Sequence, residues 1–159
     1  MTGTTVKRLT CIAAVLFAVV SPRSAYAQLG IGTWARTDTA AGGTPQLTMT
    51  VESCCKGGFR ILYRLEGRGE VMMSIDSPMD GTDAPVIIDG KPSGETMGIK
   101  RVDPLHAVTV LKMNGKQFGT SRLTLSADGK TLSVENEVTS AGQSGMPVGK
   151  TTEKWALRK

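Results

Sequence analysis

The side chains able to do chemistry are few in this chain and widely separated. Cys54 and Cys55 are adjacent, and two thiols supply half of a tetrahedral soft-metal site or, oxidised, a vicinal disulfide. Adjacent Cα atoms sit about 3.8 Å apart, below the roughly 4.4–6.8 Å that disulfides prefer, so such a ring belongs in a tight turn. Ser53 to Gly58 reads as that turn. An oxidising compartment favours the bridge, with intermolecular pairing as the other outcome. His106 is the one histidine, and no serine or cysteine stands in a motif that would make it part of a triad. Asp76, Asp80 and Asp83 could approach a hard cation, but the distal glutamate of a calcium loop is absent, and a solvated loop is the simpler reading. Gly145-Met146-Pro147-Val148-Gly149-Lys150-Thr151 is one residue short of a phosphate loop, contains a proline and precedes a strand-like run. These patterns predict no catalytic residue, no metal and no cofactor, and hence a protein that is not an enzyme.

The first 27 residues read as a removable signal peptide. Lys7 and Arg8 form a positive start, Leu9 to Val20 an apolar run of twelve residues, and Ala25-Tyr26-Ala27 a small-x-small cleavage site. Twelve residues at about 1.5 Å each reach roughly 18 Å, short of a hydrocarbon core of about 30 Å, so no stable membrane anchor is expected. Cys11 stands at the start of the apolar run, where an acylated cysteine should stand at its end. Cleavage between Ala27 and Gln28 leaves residues 28–159 as a single domain in the periplasm or the medium. Loss of Lys7, Arg8 and Arg23 reduces 19 basic residues to 16 against 14 acidic ones, a net charge of +2. The remaining cations are spread singly apart from Lys100-Arg101 and Arg158-Lys159, so no basic stripe marks a nucleic-acid partner.

Along the mature chain the apolar period is two. In Phe59-Arg60-Ile61-Leu62-Tyr63-Arg64-Leu65-Glu66 every odd position is apolar, the pattern of a strand with one wet face. Residues 47–52 and 132–138 alternate likewise. Between such runs stand turn signals, among them Asp89-Gly90, Asn114-Gly115 and Asp128-Gly129. The spacing predicts about ten strands, near 31–37, 46–52, 59–66, 70–76, 84–88, 95–102, 106–113, 117–125, 131–138 and 147–158, and no helix. An antiparallel meander of that length must hide its edges, and closure into a barrel does so. Gly32-Thr33-Trp34 sits on the first strand, where a glycine permits close backbone approach and a large ring can plug a barrel end.

The opening Gly32-Thr33-Trp34-Ala35-Arg36, the meander and the closing Glu153-Lys154-Trp155-Ala156-Leu157-Arg158-Lys159 resemble the calycin group, meaning lipocalins and fatty-acid-binding proteins. The likeness is closer to small secreted bacterial lipocalin-like proteins of no assigned activity. It implies an all-β, up-and-down barrel of about 8–10 strands, with Gly32 and Trp34 as its structural plug. It also implies a basic side chain from the last strand over Trp34, for which Arg158 is the best match and Lys154 the second, a contact worth about 0.5–2 kcal/mol. Two features depart from the group. Asp38 to Pro45 is too short for the helical lid of fatty-acid-binding proteins, and the arginine and tyrosine that hold a ligand carboxylate are missing from the last strand, so a fatty acid is not inherited as ligand.

With the apolar face inward, Phe59, Ile61, Tyr63, Leu65, Val71, Met73, Ile75, Leu132, Val134 and Val138 are internal, joined by Met97 and Ile99. Seven methionines in the mature chain suit a site for varied apolar shapes and fill irregular cores equally well. Tyr63 and Asn136 bring polar atoms to the inner face, for a ligand or for a structural hydrogen bond. The expected function is a secreted or periplasmic barrel binding a small apolar ligand through Phe59, Ile61, Tyr63, Met73, Met97 and Asn136. The alternative is an envelope or protein-interaction module whose centre is packed solid, and a cavity of at least about 300 Å³ separates the two. An enzyme would need polar groups converging in the interior.

Overall fold

The computed structural model describes residues 30–38 and 46–159. The expected leader, with its expected cleavage between Ala27 and Gln28, and residues 39–45 lie outside the described residues. Ten strands follow in order: β1 Gly32–Arg36, β2 Leu47–Cys54, β3 Gly58–Leu65, β4 Met73–Ser77, β5 Asp80–Ile88, β6 Lys91–Arg101, β7 His106–Met113, β8 Lys116–Leu125, β9 Thr131–Val138 and β10 Gly149–Leu157. Each pairs antiparallel with its sequence neighbours, and β1 pairs with both β2 and β10, closing the barrel. Closure leaves no free sheet edge among the described residues, which is how ten short amphipathic strands avoid pairing with other chains.

The turn chemistry works as the sequence implies. Asp89-Gly90 and Asn114-Gly115 have φ values of 48°, 73° and 49°, 80°, the left-handed pairs that a two-residue hairpin requires and that Asp or Asn followed by Gly tolerates. Cys55–Gly57 forms a 3-10 turn joining β2 to β3. Three boundaries differ from expectation. β5 and β6 begin earlier, at Asp80 and Lys91, because irregular pairing near Asp83 and Pro85 carries polar residues into the sheet without strict alternation. β4 begins at Met73, so Val71 precedes it and lies in an outer groove with Leu62 and Ile87 rather than inside.

Register fixes what faces inward. Trp34 opposes Met49 on β2 and Leu157 on β10, and residues opposite one another in an antiparallel ladder share a face. Trp34 is 1% exposed, and its Nε1 donates to the Gly30 carbonyl at 2.6 Å. Gly32 has φ +137°, a conformation that favours glycine, and a Cβ there would fall 2.6 Å from Leu157 Cδ1 and push that side chain aside.

Arg158 does not cover Trp34. Because Leu157 shares the inner face with Trp34, Lys154, Ala156 and Arg158 alternate to the outer one. The Arg158 N–H still extends the ladder to the Thr33 carbonyl at 2.8 Å. Its guanidinium runs outside the barrel to Gln46 Oε1 at 3.0 Å and Glu66 Oε1 at 2.8 Å. Among the described residues the cation–π contact is Arg101 over Phe59, at 5.1 Å from the ring centroid.

These placements separate two variants. Trp34→Ala is expected to cost about 3–5 kcal/mol in urea denaturation through loss of a buried aromatic, whereas Arg158→Ala, removing an exposed pair, should cost under about 1 kcal/mol. Equal losses for the two would contradict the inside-outside assignment.

Candidate functional site

The inward side chains do not fill the barrel. They enclose a cavity of about 360 Å³. Phe59, Ile61 and Tyr63 line it from β3, Met73 from β4, Met97 from β6 and Asn136 from β9, so all six residues expected on the inner face border one chamber. Met49, Met72, Met73, Met79, Met97 and Met146, six of the seven methionines of residues 28–159, also line it. Flexible thioethers therefore form much of the wall, where rigid side chains would fix one shape.

A polar cluster stands in this apolar wall, where the sequence announces no convergence. Trp34 points inward, so Arg36 two residues on does too; Trp155 points inward, so Glu153 two residues back does too. Both line the cavity. Asn136 Nδ2 donates to Glu153 Oε1 at 3.3 Å, Trp155 Nε1 donates to Glu153 Oε2 at 3.3 Å, and Arg36 Nη1 lies 3.8 Å from Glu153 Oε1. Ser121 Oγ donates to Asn136 Oδ1 at 2.6 Å, orienting the amide with its nitrogen toward Glu153. The Tyr63 ring meets Trp155 edge-on at 6.1 Å, and its hydroxyl makes no hydrogen bond among the described residues.

Asp38 decides the charge of this cluster. It takes the Arg36 fork at 2.9 and 3.1 Å. Burial works to raise the Asp38 carboxyl, but the Arg36 fork and neighbouring backbone N–H groups outweigh it and hold it below the usual range. The Asp38 hydrogen bond likewise holds Arg36 protonated. Glu153 is left with long contacts only, and burial in the apolar wall pushes its pKa up against the weaker pull of Arg36, Trp155 and Asn136. Burial also pushes the Tyr63 hydroxyl up, so it is a neutral donor and acceptor.

The connection from β9 to β10 folds over one end of the barrel, and Gln143 to Pro147 line the cavity. Glu95 pins it. This residue shares the inner face of β6 with Met97 and Ile99, is 2% exposed, and accepts the Ser144 N–H at 2.9 Å. A Cβ at Gly142 would strike the same carboxylate and the Phe118 ring, so glycine is needed where the loop crosses.

The other candidates lie elsewhere. Cys54 and Cys55 form a vicinal disulfide at the β2–β3 turn, outside the chamber wall. Asp76 is near enough to share a metal with them, but the Arg60 fork holds its carboxylate at 2.7 and 2.8 Å. Asp80 caps the Thr82 N–H and Asp83 pairs with Lys112, so the three aspartates do not converge. His106 is half-exposed and bonded to Asp103. Gly149-Lys150-Thr151 opens β10, not a helix.

No protein-family model matches the chain, and no curated protein does. Among solved structures, a mutant of the fluorescent protein UnaG matches with a TM-score of 0.57 at 12% identity, over 81% of this chain and 96% of that one. At that identity the likeness shows the fold alone, a closed antiparallel up-and-down β-barrel.

Two outcomes follow. Glu95→Ala should raise amide exchange across residues 140–147 by about tenfold or more while Glu95→Gln preserves protection, since each lost anchor to a buried group costs about 1–3 kcal/mol. Unchanged exchange in Glu95→Ala would remove the pin. For Glu153, a raised pKa in the folded state means that its stability contribution is intact below the ordinary value of 4.5 and is lost as pH rises through the folded value. The Tm of Glu153→Gln relative to the parent should therefore be more favourable at pH 7 than at pH 4, and the opposite order would contradict the assignment.

Proposed function

We propose that this protein is a non-enzymatic barrel that binds a small, largely apolar ligand in its interior after export to the periplasm or the medium. The observation that carries the reading is the chamber of about 360 Å³ walled by aliphatic, aromatic and methionine side chains. Its volume falls in the range of small-molecule sites, about 300–1,000 Å³, and its few convergent polar groups are what such sites use to orient a ligand. A barrel serving only as an envelope or protein-interaction module would be packed to native density at its centre, and this volume weighs against it. Export is supported by the leader-like residues 1–27 and suits the oxidised Cys54–Cys55 pair.

Environment-sensitive apolar dyes should bind the purified protein saturably at about one per chain. Val134→Trp, which places an indole in the chamber from β9, should weaken uptake by about tenfold or more while leaving the fold closed, at an overpacking cost of about 1–3 kcal/mol. Native mass spectrometry of protein from its own host should show a chain starting at Gln28 with a co-purified small molecule. Dye uptake unaffected by Val134→Trp would place binding outside the barrel.

A further inference from the structure

Resting on that reading of the chamber, we propose that its ligand carries a hydrogen-bond-donating head, of the class of apolar amines, seated against Glu153 and Tyr63, and that the site selects against carboxylates. Charge and unfilled bonding capacity set this preference. The charged groups facing this part of the wall are Arg36 on β1, Asp38 just after it and Glu153 on β10. Asn136 on β9, Trp155 on β10 and Tyr63 on β3 complete it with neutral groups.

Arg36 and Asp38 satisfy one another through a two-point fork at 2.9 and 3.1 Å. Such pairing occupies the Nε–Nη2 edge and matches the guanidinium charge, leaving Nη1 facing Glu153 at 3.8 Å and the cluster with one negative charge in excess. Glu153 is then the charge without a close partner. Its nearest donors stand at 3.3, 3.3 and 3.8 Å, longer than the 2.7–2.9 Å of a charge-assisted bond, and its side chain is only 16% exposed. Two of the four sites of its oxygens are spoken for at long range, and the hydroxyl of Tyr63, which lines the same chamber with its ring against Trp155, has no partner among the described residues.

An ammonium or hydroxyl placed here fills both deficits. A protonated amine would give the carboxylate a counter-ion inside the apolar wall, removing the desolvation penalty that burial imposes on its charged form, and the Tyr63 oxygen can accept a second N–H. A carboxylate in the same place would set a second anion beside Glu153 with the Arg36 fork already engaged, a repulsion that the low dielectric strengthens. The hydrocarbon tail lies along the methionine wall, which adapts to its shape.

Decylamine, decanol and decanoate, matched in tail and differing in head, distinguish the outcomes at pH 7.4 by dye displacement and calorimetry. Decylamine is expected to bind at least about tenfold more tightly than decanoate, as one charge-assisted bond implies, with decanol between them. Glu153→Gln should erase the preference for the amine over the alcohol, read as the ratio of the two affinities in that variant. Tyr63→Phe should weaken both amine and alcohol. Decanoate binding as tightly as decylamine to the parent protein would overturn the proposal whether or not the variants fold. So would an amine preference that survives in Glu153→Gln. Decanol bound with no amine preference sinks this proposal alone, whereas failure of all three to bind sinks the chamber reading with it.

Discussion

Ring closure through β1 is the constraint on which the rest of this molecule depends. The first strand is only five residues long, yet it lies between β2 and β10 and completes the ladder. Once it is in place each strand has two neighbours, each residue is either in or out, and a period-two sequence becomes a wall with an apolar lining. The devices at this seam serve the closure: Gly32 makes room for Leu157, and Trp34 folds back to bond the Gly30 carbonyl. Ten closed strands enclose more volume than this set of side chains fills, because five aromatic residues, Trp34, Phe59, Tyr63, Phe118 and Trp155, and many short aliphatic ones must line a full circumference.

The same parity explains both what the sequence discloses and what it hides. The strand count, the hairpins at Asp89-Gly90 and Asn114-Gly115, and the inward placement of Phe59, Ile61, Tyr63, Met73 and Met97 follow from alternation and turn chemistry, which are local. Arg158 fails for the same reason that Trp34 succeeds. An expectation taken from the resemblance to lipocalins placed it over the tryptophan, but the register puts the even-numbered residues at the end of β10 on the opposite face. Counting by two from either tryptophan also reaches Arg36 and Glu153, so that signal was present in the chain. It goes unnoticed because charged residues on an otherwise wet-looking strand end read as solvent-facing. The Glu95 anchor is less accessible, since its partner Ser144 is 49 residues away and the contact exists only in three dimensions. The early start of β5 follows from irregular pairing with β6, which shifts register without a clear sequence mark, and Val71 escapes the alternation because it precedes β4.

The interior divides into two chemistries. One is a soft hydrocarbon and thioether wall that costs little to reshape. The other is a small polar cluster in which a bidentate pair, Arg36 with Asp38, neutralises itself and leaves Glu153 in a poorly solvated position. A buried carboxyl with long contacts costs stability, and a site that binds ligand can recover that cost when the ligand supplies the missing partner. The disulfide at Cys54 and Cys55 stands apart from this arrangement, at a turn outside the chamber wall, where it constrains the link between β2 and β3.

The central claim is that a molecule occupies the chamber itself. Methionine-methyl NMR of the protein during a decanol titration tests it most directly, because six methionines line the cavity while Met113 packs against the core without lining it. Saturable shifts of the Met49, Met73 and Met97 methyl signals with Met113 unmoved are the predicted result. No shift at these three methyls, or shifts that grow without saturation, would contradict it.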